Sequence, residues 1–273
     1  MNTHILAVPR RIVITGASRG IGRETAIQLT RLGHRVVLVA RDRRALDAVA
    51  AEIASAGGRA EVLPTDVTDP GAVEDAVATA LAAGPVDVLV NNAGWCDQRE
   101  WRLQHLDTQR AEMALNYWGA VHMTRALLPS FLARGAGVVV NVSSLLGAVA
   151  APTTVSYGAT KAALEHWSHG LRAEVAQHGV RVVVYVAPHT DNAQGRRVAW
   201  RGVKRLPESY AAARLVAAID RAPRRRGAGP AYAVFLWLAR HFPRLMARLV
   251  GNGTRHLLAE PSSGASPASP ASP

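Results

Sequence analysis

Short aliphatic runs alternate with longer stretches in which apolar positions recur every three or four residues. The runs are "RIVIT" (11–15), "RVVLVA" (35–40), "AEVLP" (60–64), "VDVLV" (86–90), "GVVVNV" (137–142) and "VRVVVYV" (180–186). Their nearly continuous apolar character predicts strands covered on both faces, as in a parallel sheet. Between them, residues 20–32, 42–56, 70–83, 106–133 and 155–178 read as helices. This alternation predicts a doubly wound α/β fold: one parallel sheet with helices on both faces, in a single domain. Ligands in such sheets bind beyond the carboxyl ends of the strands. The residues that follow each strand are therefore where chemistry is expected.

Composition fits that picture and narrows it. The chain has 273 residues, 49% hydrophobic and 19% charged, enough for a sizeable core, and only 5% aromatic, so aliphatic residues and alanine must fill it. Cys96 is the sole cysteine, which excludes an intrachain disulfide. The opening "MNTHILAVPRR" has too short an apolar run for a signal peptide. The apolar run 231–239 falls short of the roughly 18 residues that suggest a membrane span. A cytoplasmic location is the expectation. The net charge of +12 comes from arginines distributed along the chain, with no helix-turn-helix, zinc or RNA-binding motif, so no nucleic-acid partner is expected. Only two basic residues are lysines, Lys161 and Lys204.

The first strand runs into "TGASRGIG" (15–22), and glycines 16, 20 and 22 open the helix that follows. Glycines let a backbone approach a pyrophosphate, and a helix N-terminus offers free N–H groups and a positive dipole end. A glycine-rich turn alone could be a plain strand-to-helix turn, but with a strand before it and a helix after it the reading is a dinucleotide site at Gly16, Ser18, Arg19, Gly20, Ile21 and Gly22. At the end of the second strand an acidic residue would suit the ribose hydroxyls of NAD, whereas an arginine accommodates the 2′-phosphate of NADP. Here Ala40 stands in the acid's place, Arg41 follows, and Arg19 points to the same region, which favours NADP(H). Asp42 reads as the cap of the next helix.

With these residues in place, the chain resembles the short-chain dehydrogenase/reductase family over about residues 8 to 222. The resemblance rests on "TGASRGIG", Asp66-Val67, "NNAG" (91–94), Asn116, "NVSSLLG" (141–147) and Tyr157-x-x-x-Lys161, all in order. It implies that Asp66 bonds the adenine, that Val67 lines its pocket, and that Asn92, Ala93 and Gly94 pass beside the ribose. Pro188 would join the cofactor site. Ser144, not Ser143, would hold the substrate oxygen. Tyr157 would be the general acid/base, with Lys161 lowering its pKa and binding the nicotinamide ribose. Asn116 would hold a water that links Lys161 to solvent. The lysine's position agrees with elementary chemistry: a compact ammonium one helical turn from a phenol favours the phenolate.

The implied activity is hydride transfer between NADP(H) and a small-molecule carbonyl or secondary alcohol, in a homodimer or homotetramer. The alternative on the same fold is a dinucleotide-sensing regulatory protein without turnover. Three departures from the family pattern bear on the substrate. In "APHTDNAQG" (187–195) His189 replaces a glycine, and either Thr190 or Asn192 could take the carboxamide contact. The loop 194–205 carries Arg196, Arg197, Arg201, Lys204 and Arg205 around Trp200, which suits either an anionic substrate or a solvated loop. In 231–250, Phe235, Leu238, Phe242, Leu245 and Leu249 recur at helical spacing, with Arg240, Arg244 and Arg248 on another face. Pro243 is expected to split that stretch into two helices. It would roof an apolar pocket, pack on another subunit, or make a peripheral membrane contact. Trp95, Trp101 and Trp200 add apolar surface. His166 and His169, three apart, have metal-ligand spacing but lack a third ligand. The expected division is 1–228 for the dinucleotide-binding catalytic domain, 229–258 for an amphipathic helical extension and 259–273 for a disordered Pro/Ser/Ala tail.

Overall fold

A computed structural model of the chain describes residues 4–192, 195, 204–223, 225–227 and 229–254. Seven strands form one parallel sheet: β1 (Arg11–Thr15), β2 (Arg35–Ala40), β3 (Arg59–Pro64), β4 (Val88–Asn91), β5 (Gly137–Ser144), β6 (Val180–Ala187) and β7 (Arg225–Gly227). Their order is β3-β2-β1-β4-β5-β6-β7. The chain winds outward from β1 to β3, then returns to place β4 on the other side of β1. That reversal creates a crevice at the carboxyl ends of β1 and β4.

The continuous apolar runs are explained by two cores. Alternate side chains of each strand face opposite sides. Ile12, Ile14, Val36, Leu38, Val88 and Val90 pack on one side of the sheet with Leu29, Leu46 and Leu215. Val13, Val37, Leu89 and Val139 pack on the other with Val73, Val77, Leu127 and Phe131. The helices supplying these residues are α1 (Gly20–Arg31), α2 (Arg43–Ser55), α3 (Pro70–Ala82), α5 (Gly119–Ala133) and a helix at Glu208–Arg221. β3 departs from the expectation of burial on both faces, because it lies at the sheet's edge and keeps Arg59, Glu61 and Pro64 exposed.

The helix expected over 106–133 is three pieces: α4 (Leu106–Met113), a wide π-helical turn at Ala114–Trp118, and α5. A π turn inserts a residue into the helical ladder and commonly marks a functional site. α6 (Val155–Val175) carries Tyr157 and Lys161, and a 3₁₀ turn at Ala176–His178 ends it. β7 and the helix Glu208–Arg221 were not expected. The buried face of that helix is mostly alanine (Ala211, Ala212, Ala218), which gives a weak apolar signal. Pro243 does split the C-terminal stretch, since one helix spans Pro230–His241 and the next begins at Pro243 and runs to Thr254.

Candidate active site

The turn after β1 is fixed by contacts that tolerate no side chain. Gly16 has φ +65°, and a Cβ there would lie 2.9 Å from Cα of Ala93. At Gly22 a Cβ would lie 2.3 Å from the Gly16 carbonyl oxygen. The Asn92 side chain donates to the carbonyls of Thr15 (2.9 Å) and Gly16 (3.2 Å). The Thr15 hydroxyl accepts from the backbone N–H of Asn92 and of Ala93, both at 3.0 Å. The turn is thus clamped to the end of β4, at the crevice. α1 starts there with no acidic residue in its first turn, and Arg19 is the extended N-cap. Ser18, Gly20 and Ile21 are half-buried on the same turn. A closely packed backbone cradle on a helix N-terminus fits a pyrophosphate.

Beyond β2, Arg41 is exposed, as is Arg19. Asp42 caps α2, its carboxylate accepting from the Ala45 N–H at 3.1 Å. After β3, Asp66 Oδ1 accepts from the backbone N–H (2.9 Å) and hydroxyl (2.8 Å) of Thr68. The Val67 side chain is buried against Gly119, where a Cβ would meet it at 2.7 Å. After β6, Pro188 is buried and its carbonyl accepts from the Thr190 hydroxyl at 2.9 Å. Asn192 accepts from the Gly195 N–H at 2.7 Å, and His189 and Asp191 are tied to Leu206 through backbone bonds of 2.8 Å. Both candidates for the carboxamide contact therefore already have internal partners. Arg196, Arg197, Trp200 and Arg201 lie outside the described residues.

Ser144 ends β5, and Tyr157 and Lys161 sit in the first two turns of α6. Two glycines let the helix approach the strand end. A Cβ on Gly158 would lie 3.0 Å from the Leu146 carbonyl oxygen, and one on Gly147 would lie 3.0 Å from the Lys161 carbonyl carbon. Ser143 is buried and donates to Glu165 Oε1 at 2.7 Å. Ser144 is half-buried; its Oγ accepts from the Leu146 N–H at 3.3 Å, and its hydroxyl lies near the Tyr157 phenol. Lys161 is 4% exposed, and its ammonium donates to the Val142 carbonyl at 3.0 Å and lies 5.8 Å from the centre of the Tyr157 ring. Asn116 sits in the π turn. Its Oδ1 accepts from the Trp95 N–H (2.8 Å), and its Nδ2 donates to the Trp95 carbonyl (2.8 Å) and the Thr160 hydroxyl (3.0 Å). A Cβ on Gly94 would touch both Asn116 Oδ1 (2.9 Å) and Lys161 Nζ (3.2 Å).

Burial dominates the electrostatics. It pushes the Tyr157 phenol well above its ordinary value; Cys96 and Glu112 add to the rise, and the Ser144 hydrogen bond opposes it. The expected lowering by Lys161 is not what governs this phenol. The lysine is itself desolvated, with its pKa pushed down to about 8, and its ammonium is engaged by a backbone carbonyl. Cys96 is likewise pushed up by burial, with Glu112 and Asp97 adding, so its thiol is protonated.

Three features carry no mark in the sequence. Glu112 of α4 is wholly buried; it accepts from the Asp97 N–H at 2.7 Å and from the Gln104 side chain at 3.4 Å. Burial pushes its pKa up to about 7. Gln104 in turn accepts from the Ser156 hydroxyl at 2.7 Å, next to Tyr157. Under the site, Asn91 donates to Asn141 (2.8 Å) and Thr124 (3.0 Å), and Asn141 donates to Ser168 (2.7 Å), which ties β4, β5, α5 and α6 together. Thr153 has φ +64°, a strained left-handed conformation for a β-branched residue. Its carbonyl accepts from the Arg99 N–H at 2.9 Å. Of the two histidines on α6, His169 is engaged by Arg172 at 3.0 Å, and among the described residues no three His, Cys, Asp or Glu side chains gather as a metal set.

The fold is of the doubly wound α/β class, with the glycine turn and the Ser144, Tyr157 and Lys161 set at the carboxyl ends of its strands. The family model for short chain dehydrogenases matches residues 10–199, and the chain belongs to that family. Human dehydrogenase/reductase SDR family member 7 is 38% identical over 180 residues, covering 64% of this chain and 53% of that protein. The match therefore spans about half the length of that relative. A fatty acyl-CoA reductase from Acinetobacter baylyi is 39% identical over 181 residues, covering 64% of this chain and 61% of its own. Among solved structures, a metagenomic short-chain oxidoreductase in complex with NADP is 32% identical with a TM-score of 0.68, covering 79% of this chain and 92% of that one.

Proposed function

We propose that the protein transfers hydride between NADP(H) and an apolar carbonyl or secondary alcohol. The observation that carries this is the meeting of Ser144, Tyr157, Lys161 and Asn116 at the carboxyl ends of β4 and β5, beside the glycine turn. When bound, NADPH would supply hydride from its nicotinamide ring to the carbonyl carbon. Ser144 would hold the carbonyl oxygen. Tyr157 would give that oxygen its proton; burial keeps the phenol protonated but makes it a weaker acid, so the transfer needs positive charge beside the nascent phenolate. Lys161, still largely charged at pH 7, would hold the ribose and supply positive charge as the phenolate forms. Gly94 leaves room for the chain of contacts between Asn116 and Lys161. Oxidation of the alcohol is the same path reversed.

An apolar substrate is favoured by the walls of the site. Leu145 and Val149, just after Ser144, are covered by Leu236, Ala239 and Met246 of the C-terminal helices. The similarity to a fatty acyl-CoA reductase points the same way. Association of subunits through α5 and α6 is part of the reading, because Leu132 of α5 and Trp118, which ends the π turn before it, are exposed beside a groove lined by Val121, Leu128, Trp167 and Leu171.

The deciding experiment is NADPH oxidation over a panel of aldehydes and ketones. Tyr157→Phe should lower turnover by about 10² to 10⁴ while NADPH binding is kept. Turnover unchanged in that variant, or binding without turnover on any substrate, would overturn the assignment. NADP preference is tested separately. Arg41→Ala should raise the KM for NADPH about tenfold and leave that for NADH alone, as expected for loss of one charged hydrogen bond. An equal effect on both cofactors would remove Arg41 from the 2′-phosphate.

A further inference from the structure

The C-terminal helix pair has two faces of different character. Its inner face packs on the domain: Leu236 joins Leu145, Val184 and Val186, while Ala239 and Met246 join Val149. Phe235 and Leu238 pack partly against the same clusters. Its outer face is also apolar. Val234, Trp237, Phe242, Leu245 and Leu249 are each between 48% and 59% exposed. Surface helices normally turn charged residues outward. Here the outer centre is an aromatic knot, with the Trp237 ring 4.6 Å from that of His241 and 6.1 Å from that of Phe242.

The charge of the pair is one-sided. Residues 230–254 contain no aspartate or glutamate. Arg240, Arg244 and Arg248 are all exposed, and Arg244 and Arg248 flank the Leu245–Leu249 stripe along the second helix. Among the described residues no helix is long and apolar enough to cross a membrane.

We propose that this outer face docks on an anionic phospholipid surface, lying in the interface rather than crossing it. The apolar residues would enter the boundary between headgroups and acyl chains. The arginines would pair with phosphates above it, their aliphatic stems lying along the apolar stripe. Charge complementarity selects this occupant: the face offers positive charge with no acid, and a bilayer requires no specific polar pairing beyond that. The consequence concerns access. The same two helices cover Leu145 and Val149, so docking would set the substrate side of the site against the apolar phase. The docking itself does not depend on the hydride-transfer reading, because its readout is binding and not turnover.

The test is co-sedimentation of the full chain with phosphatidylcholine vesicles, with and without phosphatidylglycerol. The chain should sediment with the anionic vesicles and be released by salt. Trp237→Ser with Leu245→Ser should abolish binding. Arg240→Gln, Arg244→Gln and Arg248→Gln should each weaken it about fivefold, and together about a hundredfold. All these positions are exposed, and unchanged NADPH binding in each variant shows that the fold is kept. Sedimentation with neither vesicle overturns the proposal, as does binding that the variants leave unaltered. If the chain fails to bind lipid and the substitutions instead dissociate a dimer, the face belongs to a second copy. If binding appears only after Leu257→Ser with Leu258→Ser, the face belongs to the chain's own tail.

Discussion

Glu112 shows what a single buried residue can do near this site. A carboxyl with no exposure, one short bond from the Asp97 N–H and one longer bond from Gln104, is poorly solvated when ionised. Burial raises its pKa from 4.5 to about 7. Between those values the folded chain holds a proton that the unfolded chain has released. Stability from this group is complete below about pH 4.5 and is lost as pH rises through about 7. Glu112→Gln keeps an acceptor for Asp97 and removes the titration. Its unfolding free energy, relative to the parent, should therefore climb between about pH 5 and 8, with a slope of at most about 1.4 kcal/mol per pH unit, read from denaturant unfolding at each pH. A difference that stays flat with pH would mean Glu112 does not titrate there. The ionised form also raises the Tyr157 pKa, so the variant's pH–rate profile should shift as well.

At the scale of elements, the proposed function would depend on how closely α6 approaches the end of β5. Gly158 in the first turn of α6 faces the Leu146 carbonyl. Alanine is about 1 kcal/mol better than glycine inside a helix, yet its Cβ would press on that oxygen at 3.0 Å. Gly158→Ala should therefore melt within about 1 kcal/mol of the parent while kcat falls about tenfold or more, because Tyr157 moves off Ser144. A drop in stability with unchanged kcat would show that the contact is only structural. The elements themselves were largely legible. Six strands stood out because two cores cover both faces of the sheet, and Asp42 and Pro243 marked helix starts by simple capping chemistry. The π turn was not legible, because "MALNYWG" keeps helical propensity on either side of the inserted residue. Nor was Thr153, whose strain comes from the packing of a loop and not from any turn residue. Glu112 meets its partners only across the fold; nothing local in "RAEMAL" sets it apart from a solvated helix residue.

At the scale of the whole molecule, one apolar stripe read along 231–250 becomes two faces in space. The helix ends at Phe242, whose φ −128° and ψ 56° turn the chain before Pro243 starts the next helix. Phe235 and Leu238 thereby face the domain, while Phe242, Leu245 and Leu249 face outward. On the proposed function, the inner face would make the C-terminal pair a roof over the substrate side, and that role has its own test. Leu236 is 6% exposed against Leu145, Val184 and Val186. An aspartate there would place an unpaired charge in an apolar contact, and the roof should lift to let water reach it. The sheet does not depend on that contact, since β1 to β5 and their helices pack in the two larger cores. Each substrate methylene that loses the roof forfeits about 0.8 kcal/mol, or about fourfold in kcat/KM. Leu236→Asp should thus lower kcat/KM for a long-chain aldehyde by about tenfold or more, leave a short aldehyde within about threefold, and keep NADPH binding. The outer-face change Trp237→Ser should alter neither ratio in solution. Equal losses on long and short substrates would mean that the roof supports the catalytic residues and not the substrate's chain.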